Sequence, residues 1–167
     1  ISMAGTGDEV LDFIEWFCGL DYRYKIFIAG NHDDCLDGAT IDGLPDNCHY
    51  FCNSGVTIEG VKLWGVPFFV SDDIEGRCPE QRRLIPASTD VLITHRPPLG
   101  ILDAAGGNGY GCPDMLAAVL RIRPRYHLFG HIHDAYGIKE TGHTIFANGA
   151  LLDEQYRLVN TPFLLHI

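Results

Sequence analysis

No apolar run in these 167 residues exceeds about six positions, far short of the ~20 that a membrane span requires. Positive charge is equally scarce: 12 Lys and Arg against 22 Asp and Glu leave a net charge of −10. A chain without a basic stripe is not built to hold a nucleic-acid polymer, whose phosphates demand one. Six cysteines, scattered at 18, 35, 48, 52, 78 and 112, fall well below the density of a disulfide scaffold. They point to a reducing, cytoplasmic compartment. Repeats, low-complexity linkers and a recognisable leader are also missing, and the opening Ile1 through Gly7 reads as a loop entered from upstream residues. What is present is ordinary globular material: 46% apolar and 20% charged residues exclude disorder. The length suits one domain spanning 1–167, with a core of useful size.

Thr6 and Glu9 form a capping-box pair ahead of Val10, Phe13, Ile14 and Phe17, so residues 8–19 are predicted helical. Tyr24 through Ala29 is a short β-branched and aromatic run ending at Gly30, and reads as a buried strand. Two more such strands are expected at Val91–Ile93 and Tyr126–Phe129, separated by a helix over 113–122 that opens with Pro113. Residues 56–66 alternate around Glu59-Gly60, which signals a hairpin. Further strands are expected at 144–147 and 163–167. The stretches 33–55, 71–90 and 103–112 read as long loops. The last of them, glycine-rich, is either a lid or a solvated connector. The class is mixed α/β.

Three of the apolar strands end in polar clusters: Gly30-Asn31-His32-Asp33, Thr94-His95-Arg96 and Gly130-His131-Ile132-His133. Carboxyl ends of parallel strands share one edge, where α/β proteins bind ligands. Several imidazoles and an amide gathered there need partners once desolvated, and a metal ion is such a partner. Any one of these histidines alone reads as a core residue bonded to backbone; three clusters together favour a site. His131 and His133 are expected on one face of extended backbone, with Gly130 allowing close approach. A nitrogen and oxygen donor set without thiolate suits hydrolytic chemistry at Zn, Fe or Mn rather than a structural zinc site.

In this order, the three blocks resemble the calcineurin-like metallophosphoesterase superfamily. The longer stretches 24–32, 94–100 and 123–137 resemble its metallophosphoesterase-domain-containing subgroup, whose members were first noted in brain and have bacterial relatives. The resemblance implies a four-layer αββα sandwich and two divalent or trivalent metal ions. Asn31, His95 and His131 would hold one ion and His133 would contribute to the other. A hydroxide bridging the two would attack phosphorus, with His32 assisting the leaving group. Asp33 would either steady His32 in this catalytic role or bond the loop backbone.

The family pattern also begins with an Asp-x-His block and a Gly-Asp block, and neither occurs in this sequence. Asp8 follows Gly7 but lies at the predicted helix start, not at a strand end. By that resemblance the first core strand and its acidic ligands are expected upstream of Ile1, and a strand edge would be left unpaired here. Ala29 stands where Ser/Thr protein phosphatases carry a phosphate-binding arginine, which disfavours a phosphoprotein substrate. A small phosphodiester, such as a cyclic nucleotide, is expected instead. Arg96 would contact a phosphate oxygen or, alternatively, pair with a carboxylate, and Asn108, Tyr110 and Tyr136 are candidates for contacts to the substrate.

Asn148 would turn toward the cleft or act as a plain turn residue. Cys48 and Cys52 flank His49 without a second ligand pair, and cysteine catalysis is not expected at Cys35 among its aspartates. His127, His143 and His166 read as structural. A homo-oligomer is compatible with the sequence. The competing readings are a nucleotide-binding module without turnover and a Cys/His zinc domain.

Overall fold

The computed structural model describes all of residues 1–167. From the N-terminus, helix α1 (Gly7–Gly19) leads to strands β1 (Lys25–Ile28), β2 (Cys48–Phe51), β3 (Ser54–Ile58) and β4 (Val61–Val66). Helices α2 (Val70–Ile74) and α3 (Cys78–Leu84) precede β5 (Val91–Thr94), the small ribbon β6 (Ala104–Ala105) and β7 (Asn108–Gly109), and α4 (Pro113–Ile122). Strands β8 (Tyr126–Phe129), β9 (Gly137–Thr141) and β10 (Thr144–Asn148) complete the fold.

The capping box at α1 is formed. The Glu9 amide donates to Thr6 Oγ1 at 3.3 Å, and Glu9 Oε2 accepts from the Thr6 and Ala4 amides. At the other end, buried Lys25 points Nζ back at the last carbonyls of α1, reaching Cys18 at 2.7 Å and Leu20 at 3.0 Å. A cation there answers both the unpaired carbonyls and the negative end of the helix dipole.

Four layers follow from the way alternate residues face. Strands β1 and β2 form a parallel pair. Its Phe27 meets Phe13 and Phe17 of α1 at ring-centroid distances of 5.4 and 5.5 Å. Its Ile28 and Phe51 face the second sheet instead. There Gly65 of β4 lies so close that a Cβ would stand 2.4 Å from Phe51 Cβ, so only glycine lets the two sheets approach this far. The second sheet has six strands in the order β3-β4-β5-β8-β10-β9, with β4, β5, β8 and β10 mutually parallel and both edge strands antiparallel. On its outer face Val66, Leu92, Phe129 and Phe146 pack with Ile85 after α3 and with Met115, Ala118, Val119 and Ile122 of α4. The architecture is the mixed α/β sandwich expected, and β1 pairs on one side only, its other edge having no partner strand.

Three expectations need correction. Residues 163–167 form no strand: an extended segment without a ladder partner stays irregular. Leu164 is exposed, Phe163 stacks on Tyr136, and the Tyr126 hydroxyl donates to the His166 carbonyl. The stretch 33–55 contains β2, and 71–90 contains α2 and α3. Strand β9 was not anticipated, because Ile138 to Thr141 are exposed on an edge and carry no apolar alternation. No helix is long and apolar enough to cross a membrane.

Candidate metal centre

The carboxyl ends of β1, β4, β5 and β8 are stitched to one another by backbone. The Phe68 amide donates to the Ala29 carbonyl, the His95 amide to Val66, and the Gly130 amide to His95. A cleft of about 540 Å³ opens on this edge, lined by Asn31, His32, His95, His131 and His133 from the three predicted clusters.

His95 Nε2 lies 2.7 Å from Asn31 Oδ1, and the His95 and His131 rings are 4.8 Å apart between centroids. Phe68 stacks parallel to the His95 ring at 6.3 Å. The glycine that permits this crowding is Gly30, not Gly130: a Cβ on Gly30 would stand 2.5 Å from the His95 ring, whereas nothing lies within 4 Å of one on Gly130. The expected extended backbone at 131–133 is also corrected. His131 has a φ of 71° and His133 opens a single 3-10 turn. A non-glycine residue held in the left-handed region marks strain of the kind found at functional sites.

Burial, and then the neighbouring His131, push the His95 pKa down to about 3. Burial and then the Arg96 charge lower that of His131 to about 4. Both imidazoles are therefore neutral at pH 7, with lone pairs to offer. The Nδ1 atom of His133 lies 2.8 Å from the Asp153 carbonyl, which can only accept, so Nδ1 carries a proton and the lone pair of the neutral ring is at Nε2. The Asp153 side chain ties its own turn together by accepting from the Gln155 and Arg157 amides at 2.9 Å and from Arg157 Nε at 2.7 Å.

No three His, Cys, Asp or Glu side chains converge tightly enough to hold a metal by themselves, which also leaves the Cys48, His49 and Cys52 grouping without a zinc site. The convergent set is two imidazoles and an amide. One proton sits between His95 Nε2 and Asn31 Oδ1, where a cation would meet the same two lone pairs. These neutral nitrogen and oxygen donors fit one borderline divalent ion.

The other predicted residues lie elsewhere in the arrangement. Asp33 is fully buried: its carboxylate accepts from the Gly30 amide at 2.7 Å, the Ser2 amide at 2.7 Å and the Ser2 hydroxyl at 2.6 Å. Burial pushes its pKa up, but these hydrogen bonds from Ser2 and Gly30 hold it below the usual carboxylate range. With both oxygens committed to backbone and Ser2, Asp33 fixes the loop that presents Asn31 and His32, and the expectation of a catalytic role gives way to this one. Arg96 pairs with Asp73 at 2.9 Å and lies over the Phe68 ring. Tyr110 lines the cleft and is half exposed. Asn108 is exposed in β7, outside the lining. Tyr136 donates to the Thr161 carbonyl at 2.8 Å and stacks on Phe163, so it holds the C-terminal segment instead of facing the cleft.

Glu154 and Tyr156, which no motif marks, complete the cleft wall from the loop after β10. Asn148 does not line the cleft but is fully buried, donating to the Ile132 carbonyl at 2.8 Å and the Leu102 carbonyl at 3.2 Å. The glycine-rich stretch 103–112 is pinned by Asp103, which accepts from the Gly100 and Gly111 amides at 2.9 and 3.0 Å.

The sequence model of the calcineurin-like phosphoesterase family matches residues 4–135. UPF0046 protein K07C11.7 of Caenorhabditis elegans is 33% identical over 186 residues, covering 98% of this chain and 64% of that protein. Human metallophosphoesterase domain-containing protein 1 is 33% identical over 198 residues, covering 98% of this chain and 61% of that protein. The chain thus spans less than two thirds of the length of these curated relatives. A solved crystal structure superposes with a TM-score of 0.60 over 85% of this chain and 63% of its own, at 15% identity, which speaks for the fold alone.

Proposed function

Since the chain belongs to the calcineurin-like phosphoesterase family, we propose that its cleft hydrolyses a small phosphoester, specifically a phosphodiester of the cyclic-nucleotide kind. The observation that carries this reading is the convergence of Asn31, His95 and His131, two of them imidazoles held neutral, at one sheet edge. These three residues would hold one ion, and His133, through Nε2 of its neutral ring, would serve a second; manganese, iron and zinc all suit such donors. When bound, such ions supply Lewis acidity toward phosphoryl oxygens and activate water.

The chain's own side chains supply the rest. His32 is exposed at the cleft mouth, free to hand a proton to the departing oxygen. Asp33 and Ser2 fix the loop under it. Arg96, held by Asp73, adds positive charge beside His131 without entering the lining. Tyr110 and Tyr156, each about half exposed, stand on the cleft wall as apolar surfaces for the ester's organic group. The net charge of −10 favours a small substrate over a nucleic-acid polymer. The six free thiols suit a cytoplasmic setting.

The test is turnover of bis(p-nitrophenyl) phosphate and of cyclic nucleotides by the full gene product loaded with Mn²⁺. His32→Ala and His131→Ala should each lower kcat/KM by about 10²-fold or more. Wild-type turnover in both variants would overturn the assignment. Mononucleotide binding in the cleft without any turnover would support the competing reading of a binding module.

A further inference from the structure

Helices α3 and α4 leave a pocket of about 270 Å³ between them, and it shares no lining residue with the cleft. Three guanidinium groups line it, those of Arg82, Arg83 and Arg121. In a chain with only 12 cationic residues and a net charge of −10, gathering three of them in one place is electrostatically unfavourable unless something negative joins them.

Arg82 makes the case sharper. It is 3% exposed, its Nη1 donates to the Gln81 amide oxygen at 2.8 Å, and its Nε has no partner. It takes part in none of the chain's ion pairs. An arginine cannot shed its proton to relieve burial, and a buried cation without a counter-charge is costly. Arg121 is committed to structure on one side, with Nη2 donating to the Arg82 and Ile85 carbonyls at 3.1 Å. That pair of bonds closes the end of α3 and brings the two helices to this spacing. Arg83 is exposed at the rim. Asp114, in the first turn of α4, is the carboxylate of the lining and makes no ion pair with the three arginines.

We propose that this pocket binds a small oxyanion, with a phosphate group as the ligand chemistry. The planar guanidinium fork matches a tetrahedral oxyanion through paired N–H donors, and the pocket has room for one. The ligand's negative charge offsets the buried Arg82 cation, whose Nε has no partner within the chain and so reports on the binding. The site is independent of the hydrolytic reading, because no cleft residue belongs to it.

The test is a titration of the ¹⁵N-labelled chain, read at the arginine Nε–Hε signals, with inorganic phosphate and separately with adenosine monophosphate at constant ionic strength. The Arg82 Nε signal should shift saturably. Arg83→Ala should weaken and Asp114→Asn should tighten binding by about two- to fivefold each, as expected for one partly exposed charge. Both positions are exposed, so neither change threatens the fold. His95→Ala should leave the dissociation constant at this signal unchanged, which separates the pocket from phosphate bound in the cleft. Equal affinity for the two ligands means the phosphate alone is recognised; preference for the nucleotide means the phosphate arrives on a larger molecule. The proposal is overturned if no saturable shift occurs, if chloride produces the same shift, or if neither charge variant changes the affinity.

Discussion

Gly30 shows how a single missing carbon can decide a site. Its Cα lies so near the His95 imidazole that an added Cβ would meet ring atoms at 2.5 and 2.7 Å. His95 cannot retreat freely, because Phe68 stacks on one side and His131 lies across from it. In Gly30→Ala the ring must therefore turn away from Asn31, breaking the 2.7 Å contact. The expected outcome is a loss of about 1–3 kcal/mol in stability, as for other overpacked sites, with at least a tenfold loss of affinity for Mn²⁺. Urea unfolding and equilibrium dialysis measure the two effects separately. Retained metal affinity would mean that His95 is not held by this contact.

At the scale of elements, the strands and helices with one apolar face were legible and those without were not. Val10, Phe13, Ile14 and Phe17 announced α1 as an apolar stripe, of which Val10 is buried, and Pro113 announced the start of α4, whose Met115, Ala118, Val119 and Ile122 the core buries. Helix α3 was invisible for the opposite reason: Cys78 to Leu84 is mostly polar, and the residue it buries besides Cys78 is Arg82. The three strand-end clusters were legible because glycine and histidine stand out after an apolar run. The loop that carries Glu154 and Tyr156 had no such contrast, and the left-handed turn at His131 cannot be read from residue types. Asn148 belongs between these cases, since its Asn-Gly dipeptide suggested a turn while the structure shows a clamp. Its amide joins the end of β10 to the backbone of the 131–133 segment and to Leu102. Asn148→Ala removes the partners of the Leu102 carbonyl and the Ala150 amide and leaves the Ile132 carbonyl with the Ala135 amide alone, which should cost about 1–3 kcal/mol. Because the Ile132 carbonyl that loses this bond lies between His131 and His133, turnover should fall by more than thermal destabilisation alone explains. Activity assayed well below the melting midpoint tests this, and unchanged kcat there would reduce Asn148 to a packing residue.

Across the whole molecule, proton uptake couples the site edge to stability through His127. This residue is fully buried among Phe129 and Phe146. Thr94 Oγ1 spends its only proton on the Arg96 carbonyl at 2.7 Å and lies 2.9 Å from His127 Nε2. The imidazole must therefore be the donor of that second bond, leaving Nδ1 without a partner. Burial lowers the His127 pKa to about 3, while an unfolded histidine titrates near 6.5. Between those values the unfolded chain binds a proton that the folded chain refuses, so stability is complete above about pH 6.5 and declines as pH falls toward 3. Within that window each pH unit costs about 1.4 kcal/mol from this group. His95 and His131 are shifted the same way and steepen the decline. The sequence pI is about 5.0, where a vanishing net charge promotes precipitation. Urea unfolding from pH 7.5 down to 5.5 therefore covers the useful range. His127→Gln keeps a donor for Thr94 but cannot take up a proton, so its stability should depend on pH less steeply, by roughly one proton's worth at the acid end. A slope identical to that of the parent chain would show that His127 is not the neutral, buried group its surroundings dictate.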